Sequence, residues 1–212
     1  RNVAVGYNTL ATLNAGADGY NVAVGMEAGR LVTTGVQNVL IGGLTGDALT
    51  DADFNVAIGV AALSADTLGS RSTAIGHGAL ENQNFTTATD SYNTAVGYVA
   101  GLSVTTATHN TLIGGNAGTA ITVGIRNTAV GSAALDAEVA GHYSVAVGYG
   151  ALSSQTSATG TNIYNTGIGY SAGAAITSGF ENTLMGGLAG DALTNADYNT
   201  AVGSLALTAD TL

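Results

Sequence analysis

Apolar residues recur along this chain in steps of 8 and 9, a spacing that no helix produces. Val24, Val32, Ile41, Leu49 and Ile58 mark one stretch. Val96, Val104, Ile113, Ile121 and Val130 repeat it, as do Ile168, Ile176, Met185, Leu193 and Val202. Two apolar anchors in each 17-residue period predict a coil with two sides, since a triangular coil would show three. The anchors are mostly β-branched and glycine is frequent, which favours short strands over helices. The expected object is an all-β flattened parallel β-roll, a solenoid with two short strands per 17-residue coil. Stacked strands rise about 4.8 Å per coil, so the whole forms a rod about 55 Å long.

Each coil opens on one five-residue motif: Asn or Ser, Val or Thr, a small residue or Leu, an aliphatic, then Gly. Asn fills the first place in ten copies (Asn2, Asn21, Asn38, Asn55, Asn93, Asn110, Asn127, Asn165, Asn182 and Asn199), and Ser72 and Ser144 open the other two. Stacked Asn side chains are expected to form a hydrogen-bonded ladder along the rod. The closing glycine is present in all twelve: Gly6, Gly25, Gly42, Gly59, Gly76, Gly97, Gly114, Gly131, Gly148, Gly169, Gly186 and Gly203. It is expected to end each strand, where the chain needs positive φ or close backbone approach.

A longer period lies over the first. One 21-residue coil and three 17-residue coils make a 72-residue unit, giving superrepeats of approximately 1–71, 72–143 and 144–212 within one continuous domain, 1–212. The extra residues of the long coils (Ala11 to Tyr20, Glu81 to Tyr92, Ser153 to Tyr164) read as a recurring surface loop. Leu40, Leu112 and Leu184 take the third motif place, each followed by two glycines, which reads as bulk gained and lost inside one core. Four residues beyond the motif glycine the chain alternates Leu, Gly, Gly, Leu: Leu10, Gly29, Gly46, Leu63, then Leu80, Gly101, Gly118, Leu135. In each fourth coil an acid (Asp66, Glu138, Asp210) replaces the second anchor, and Leu68 or Val139 is expected to take over its packing.

The third and fourth motif places are adjacent, so their side chains leave the strand on opposite faces. Both are apolar, as in Ala23 and Val24 or Leu40 and Ile41. A strand apolar on both faces must be covered on both. One face lies inside the roll, and the other calls for a second ribbon of the same kind. Identical chains packed side by side are therefore expected, with two serving the argument as well as three.

Composition bears mainly on partners. The chain is 46% hydrophobic and 8% charged, with net charge −10, no Pro and no Cys. An acidic rod repels nucleic acid, and no apolar run reaches the length of a membrane span. The chain begins one residue before a motif and stops inside a coil, which reads as an excerpt of a longer fibre. No nucleophile, base and orienter constellation is present, so no enzyme is expected. His77, His109 and His142 fall at different places in the repeat and read as solvated turn residues. Gly167-Ile-Gly169-Tyr-Ser-Ala172 fits a loose dinucleotide fingerprint by accident, with no helix after it. Asp47, Asp51 and Asp53, echoed by Asp191, Asn195 and Asp197, offer oxygen ligands for Ca²⁺, but Thr119, Thr122 and Ile125 break the series, so solvated acids are the preferred reading and no cofactor is expected. All nine tyrosines sit directly before a motif or directly after its glycine, so stacking gathers them into stripes. Among them Tyr20, Tyr92, Tyr98, Tyr164 and Tyr170 are candidate glycan contacts, with packing of edges or seams as the favoured role.

The motif Asn-Thr-Ala-Val-Gly-Tyr (Asn93 to Tyr98) and its eleven relatives resemble two groups of repeats along the whole chain. One is the Asn-Thr-Ala-Val-Gly repeat of bacteriophage tail-fibre proteins. The other is the head repeat of trimeric autotransporter adhesins. The adhesin heads repeat at about 14 residues, whereas this chain repeats at 17, which favours the tail-fibre type. The resemblance implies a left-handed parallel β-roll, a homotrimer, and attachment outside the cell, on a virion tail fibre or a cell surface. It carries over no binding residues. A bacterial surface adhesin or self-assembling surface filament is the alternative. An ice-adhering solenoid lacks its regular Thr array, since Thr33-Thr34, Thr86-Thr87 and Thr105-Thr106 do not recur on every coil.

Overall fold

In a computed structural model, the twelve motifs form twelve three-residue strands, from Val3–Val5 and Val22–Val24 to Thr200–Val202. The structure describes residues 1–14, 16, 18–157 and 160–210. Ala15, Ala17, Ala158 and Thr159, which belong to two of the long coils, lie outside the described residues, as do Thr211 and Leu212. The strands pair in chain order, all parallel, in one twelve-stranded sheet, and no described residue is helical. Register follows the motif place for place: Thr94, Ala95 and Val96 lie against Thr111, Leu112 and Ile113. The fold is a parallel β-solenoid of about twelve turns, most of them one 17-residue coil each.

Only one side of each coil is a regular strand, which corrects the expectation of two. The rest of the coil is a run of turns joined to its neighbours by hydrogen bonds, such as Gly29 N to Thr45 O and Thr33 N to Thr50 O, both 2.9 Å. Among the described residues the one further strand pair lies between Gly69–Ser70 and Thr89–Asp90, with a single bridge from His142 to Asn162 in the next unit. The reason lies in the spacing of the buried positions. Counting the motif's first residue as place 1, the interior receives places 8, 9 and 12, as in Ala28, Gly29 and Val32. Steps of one and three do not alternate, so the backbone coils there instead of extending. It does so by repeated left-handed residues at places 7 and 9, among them Glu27, Leu44, Ala61 and Leu63 with φ from 54° to 57°.

The anchors also divide differently from the prediction. Val32, Leu49, Val104, Ile121, Ile176 and Leu193 are buried in the core. The fourth motif residues (Val24, Ile41, Ile58 and their equivalents) point outward, and the third residues (Ala23, Leu40, Ala57) point in. Leu40 is accommodated by Gly29 and Gly46, where an added Cβ would lie 2.7 and 2.9 Å from its methyls. Leu at place 9 occurs only in coils whose own place 3 is small, and it reaches into the neighbouring coil; an added Cβ on Gly167 would meet Leu152 of the preceding coil at 2.8 Å. Leu40 is therefore not balanced by Gly43, which lies on the outside.

Motif glycines stack on each other through the rod. At Gly97 φ is 145° and a Cβ would meet the Gly114 carbonyl oxygen at 2.4 Å. Both positive φ and close approach are required there, as expected.

Candidate functional site

The Asn column is an interior ladder with two jobs per rung. The Asn110 side-chain nitrogen donates to Gly124 O (2.8 Å), tying the coil's first residue to its own return. Its oxygen accepts from Asn127 N (2.8 Å), tying that coil to the next. The same pair of bonds recurs at Asn21, Asn38, Asn55 and Asn127. Asn93, Asn165 and Asn182 follow the same pattern. Asn2 is exposed and Asn199 half-buried, at the two end coils.

Ser72 and Ser144 interrupt the ladder, and the long coils mend it from inside. Gln83 donates to Ser72 Oγ (2.8 Å) and to buried Asp66 Oδ2 (2.6 Å), while its oxygen accepts from Asn93 (2.8 Å). Asp66 also accepts from the N–H of Gly69 (3.1 Å) and Phe85 (3.0 Å). Burial raises the Asp66 pKa, the Gln83 amide and the backbone N–H groups of Phe85, Gly69 and Thr67 pull it back, and burial dominates. In the next unit Gln155 bridges Glu138 (2.8 Å), Ser144 (3.0 Å) and Asn165 (2.9 Å). Glu138 Oε1 accepts from the N–H groups of Val139, Ala140 and Gly141 at 2.7 to 3.0 Å.

These two networks correct two expectations. Asp66 and Glu138 keep the anchor's inward place, with Leu68 and Val139 only half-buried, so no shift of phase occurs. The long coils are not pure surface loops, since Gln83, Phe85, Ser91 and Gln155 are buried. A signal was present in the sequence: Asp66 is followed one coil later by Gln83, and Glu138 by Gln155, beside the coils where Ser replaces Asn.

The outer face of the twelve-stranded sheet is the candidate interaction surface. Places 2, 4 and 6 of every coil face outward, and none of their residues is Asp, Glu, Lys or Arg, on a chain of net charge −10. Place 4 is an aliphatic column, half-buried in most coils and exposed at Val5, Ile41, Ile113, Met185 and Val202. Aromatic columns flank it on both sides. At place 6, Tyr149 and Tyr170 stack with centroids 5.7 Å apart, and His77 stacks on Tyr98 at 5.6 Å. In the column just before the motif, Tyr143 stacks on Tyr164 at 5.1 Å and Tyr92 lies 5.2 Å from His109. Arg71 sits over Phe54 and Tyr92, and Arg126 over Tyr143.

The five candidate glycan contacts thus separate into two stripes. Tyr20, Tyr92 and Tyr164 belong to one, Tyr98 and Tyr170 to the other. Each has a ring neighbour or a guanidinium over its face: Arg1 for Tyr20, Arg71 for Tyr92, His77 for Tyr98, Tyr143 for Tyr164 and Tyr149 for Tyr170. Ring faces are covered along the rod, and the hydroxyls of Tyr20 and Tyr92 donate to Asp18 (3.2 Å) and Asp90 (3.4 Å).

Four of the acids weighed as calcium ligands have protein partners, whereas the buried Oδ1 of Asp191 has none. Asp53 accepts from Val36 N (2.8 Å), Asp197 accepts from Phe180 N (2.9 Å), and Asp51 accepts from Thr34. Asp47 lies 3.7 Å from the Arg30 guanidinium. Among the described residues no three His, Asp or Glu converge on a metal position. His77 and His109 are exposed; His142 is half-buried, and its Nδ1 accepts from Ile125 N (3.0 Å). The glycine run at Gly167 is strand followed by turn in an ordinary coil. No described helix is long and apolar enough to cross a membrane. Comparisons with models of known protein families, with curated proteins and with solved structures find no match.

Proposed function

We propose that this chain is a non-enzymatic segment of an extracellular fibre, in which three identical chains wound as left-handed solenoids lie side by side. Its role is attachment, as in a phage tail fibre: spacing or presenting a receptor-binding tip, with a cell-surface glycan or other receptor as the final partner. The carrying observation is the outer sheet face, whose aliphatic column runs the length of the rod without a charge in places 2, 4 and 6. Leaving such a stripe wet is costly, since burying each aliphatic contributes roughly 1.5–3 kcal/mol. Like-charged rods also repel, so an uncharged face is the one on which copies approach most closely. The resemblance to tail-fibre and adhesin repeats supplies the number three and the extracellular setting.

Sedimentation velocity across a hundredfold range of concentration tests the assembly. A trimer is expected at micromolar chain, and a folded monomer throughout would overturn the proposal. The surface-filament reading would appear instead as indefinitely long particles in electron micrographs.

A further inference from the structure

At place 6 the outward column carries side chains in nine coils, but in the third coil of each 72-residue unit it is empty: Gly43, Gly115 and Gly187. Nothing within the chain requires glycine there. None of the three has the positive φ that favours glycine. A Cβ on Gly43 would meet nothing closer than Met26 O at 4.0 Å, one on Gly115 only Ser132 Oγ at 3.9 Å, and one on Gly187 nothing within 4 Å. The glycine immediately before each is the opposite case: at Gly114 a Cβ would lie 2.5 Å from the Gly131 carbonyl. The neighbouring coil holds Val60 at the same place, so even a β-branched residue suits this backbone.

The missing side chain has a consequence beside it. The place 4 residues of these coils are Ile41, Ile113 and Met185, exposed at 37%, 38% and 41%. They are the only exposed members of that column between its two end coils among the described residues. Each glycine therefore opens a notch floored by a large aliphatic, recurring every four coils, or about 19 Å along the rod.

We infer that these three notches are contact points for a second copy of this chain, and that they set the axial register of the assembly. A glycine that its own fold does not use marks close approach by another molecule. Only a partner with the same four-coil period can enter all three notches at once. The chain's own surface has that period, in bulk as well as in gaps: place 6 is large in the first two coils of each unit and absent in the third. Copies are thereby held in one axial register or offset from it by whole 72-residue units, and slippage by one coil takes the entering side chains out of the notches. This inference rests on the side-by-side assembly proposed above and specifies where and how it locks.

The test uses the full chain in two matched variants. One is Gly43→Val with Gly115→Val and Gly187→Val. The other, Ser132→Val with Ser204→Val, adds the same side chain one coil further on. Sedimentation should show the first variant dissociating at a chain concentration at least about a hundredfold higher than wild type, and the second within about threefold. Circular dichroism of both should match wild type. Equal behaviour of the two variants, with wild type an oligomer, would sink the notch inference and leave the assembly standing. A wild-type monomer would sink both. Should the triple variant fail to fold, Gly115→Val alone against Ser132→Val alone decides the matter by the same comparison.

Discussion

Asn110 satisfies two backbone groups that no solvent reaches, and its worth is the cost of leaving them empty. Replacing it by Ala strands Gly124 O and Asn127 N in the interior. Each buried group so orphaned costs about 1–3 kcal/mol, so Asn110→Ala should lower unfolding free energy by about 2–6 kcal/mol in denaturant titration. The value should be nearly additive with Asn38→Ala, several coils away and sharing no partner. A loss of no more than about 0.5 kcal/mol would mean that water replaces the amide. This ladder was legible because a column of one residue type at fixed period has few other uses. The burial of Asp66 and Gln83 was not read from the chain, since acids and amides are residues that normally stay wet. Their pairing one coil apart is what makes burial tolerable, and a pair is harder to notice than a column. The opposite faces of the third and fourth motif residues were legible, but which of the two points inward was not. Val24 and Val32 look equivalent in sequence, yet the strand sends one to the surface and the turn sends the other to the core.

Among the elements, the junction between each fourth coil and the long coil after it carries the chain's buried charge. Asp66 titrates at its ordinary value of 3.8 when unfolded and higher when folded, because burial penalises the charged form. Asp47 and Asp136 are shifted in the same direction by desolvation. Above pH 3.8 the folded chain therefore retains protons that the unfolded chain has released. Stability then falls as pH rises through that window, at no more than about 1.4 kcal/mol per pH unit for each proton. Thermal unfolding should show a higher midpoint just above pH 4 than at pH 7, and Asp66→Asn should flatten the slope while lowering stability overall. The lowering arises because the new amide nitrogen meets the Gln83 donor in place of an acceptor. An identical slope in the variant would show that Asp66 does not titrate in this range. The strand half of each coil was foreseeable from β-branched content and motif register. The turn half was not, because it depends on non-glycine residues such as Leu63 and Tyr92 holding left-handed φ, which sequence propensities disfavour.

For the molecule as a whole, the 72-residue unit and not the 17-residue coil is the quantum of structure, and deletions should distinguish them. Removing Asn93 to Tyr164 joins Tyr92 to Asn165 in the same phase, so Gln83 meets Asn165 as it met Asn93, and every Leu keeps its facing glycine. That chain should fold, assemble and measure about 19 Å shorter by small-angle scattering, four strand spacings. Removing Asn110 to Arg126 deletes one whole coil and is equally neutral to the strand register. It nevertheless takes away Leu112, whose methyl lies 2.8 Å from where a Cβ on Gly101 would be, and sets Gly101 against small Ala129. A leucine-sized void of this kind costs about 2–5 kcal/mol. The same deletion removes the notch at Gly115 and puts those on either side out of their four-coil spacing, so association should weaken along with stability. Equal stability and equal assembly of the two shortened chains would mean that coils are interchangeable and that the longer period is only a trace of duplication. The alternation of Leu and Gly across neighbouring coils argues otherwise, because Gly29, Gly101 and Gly173 each seat a leucine from the coil before and another from the coil after.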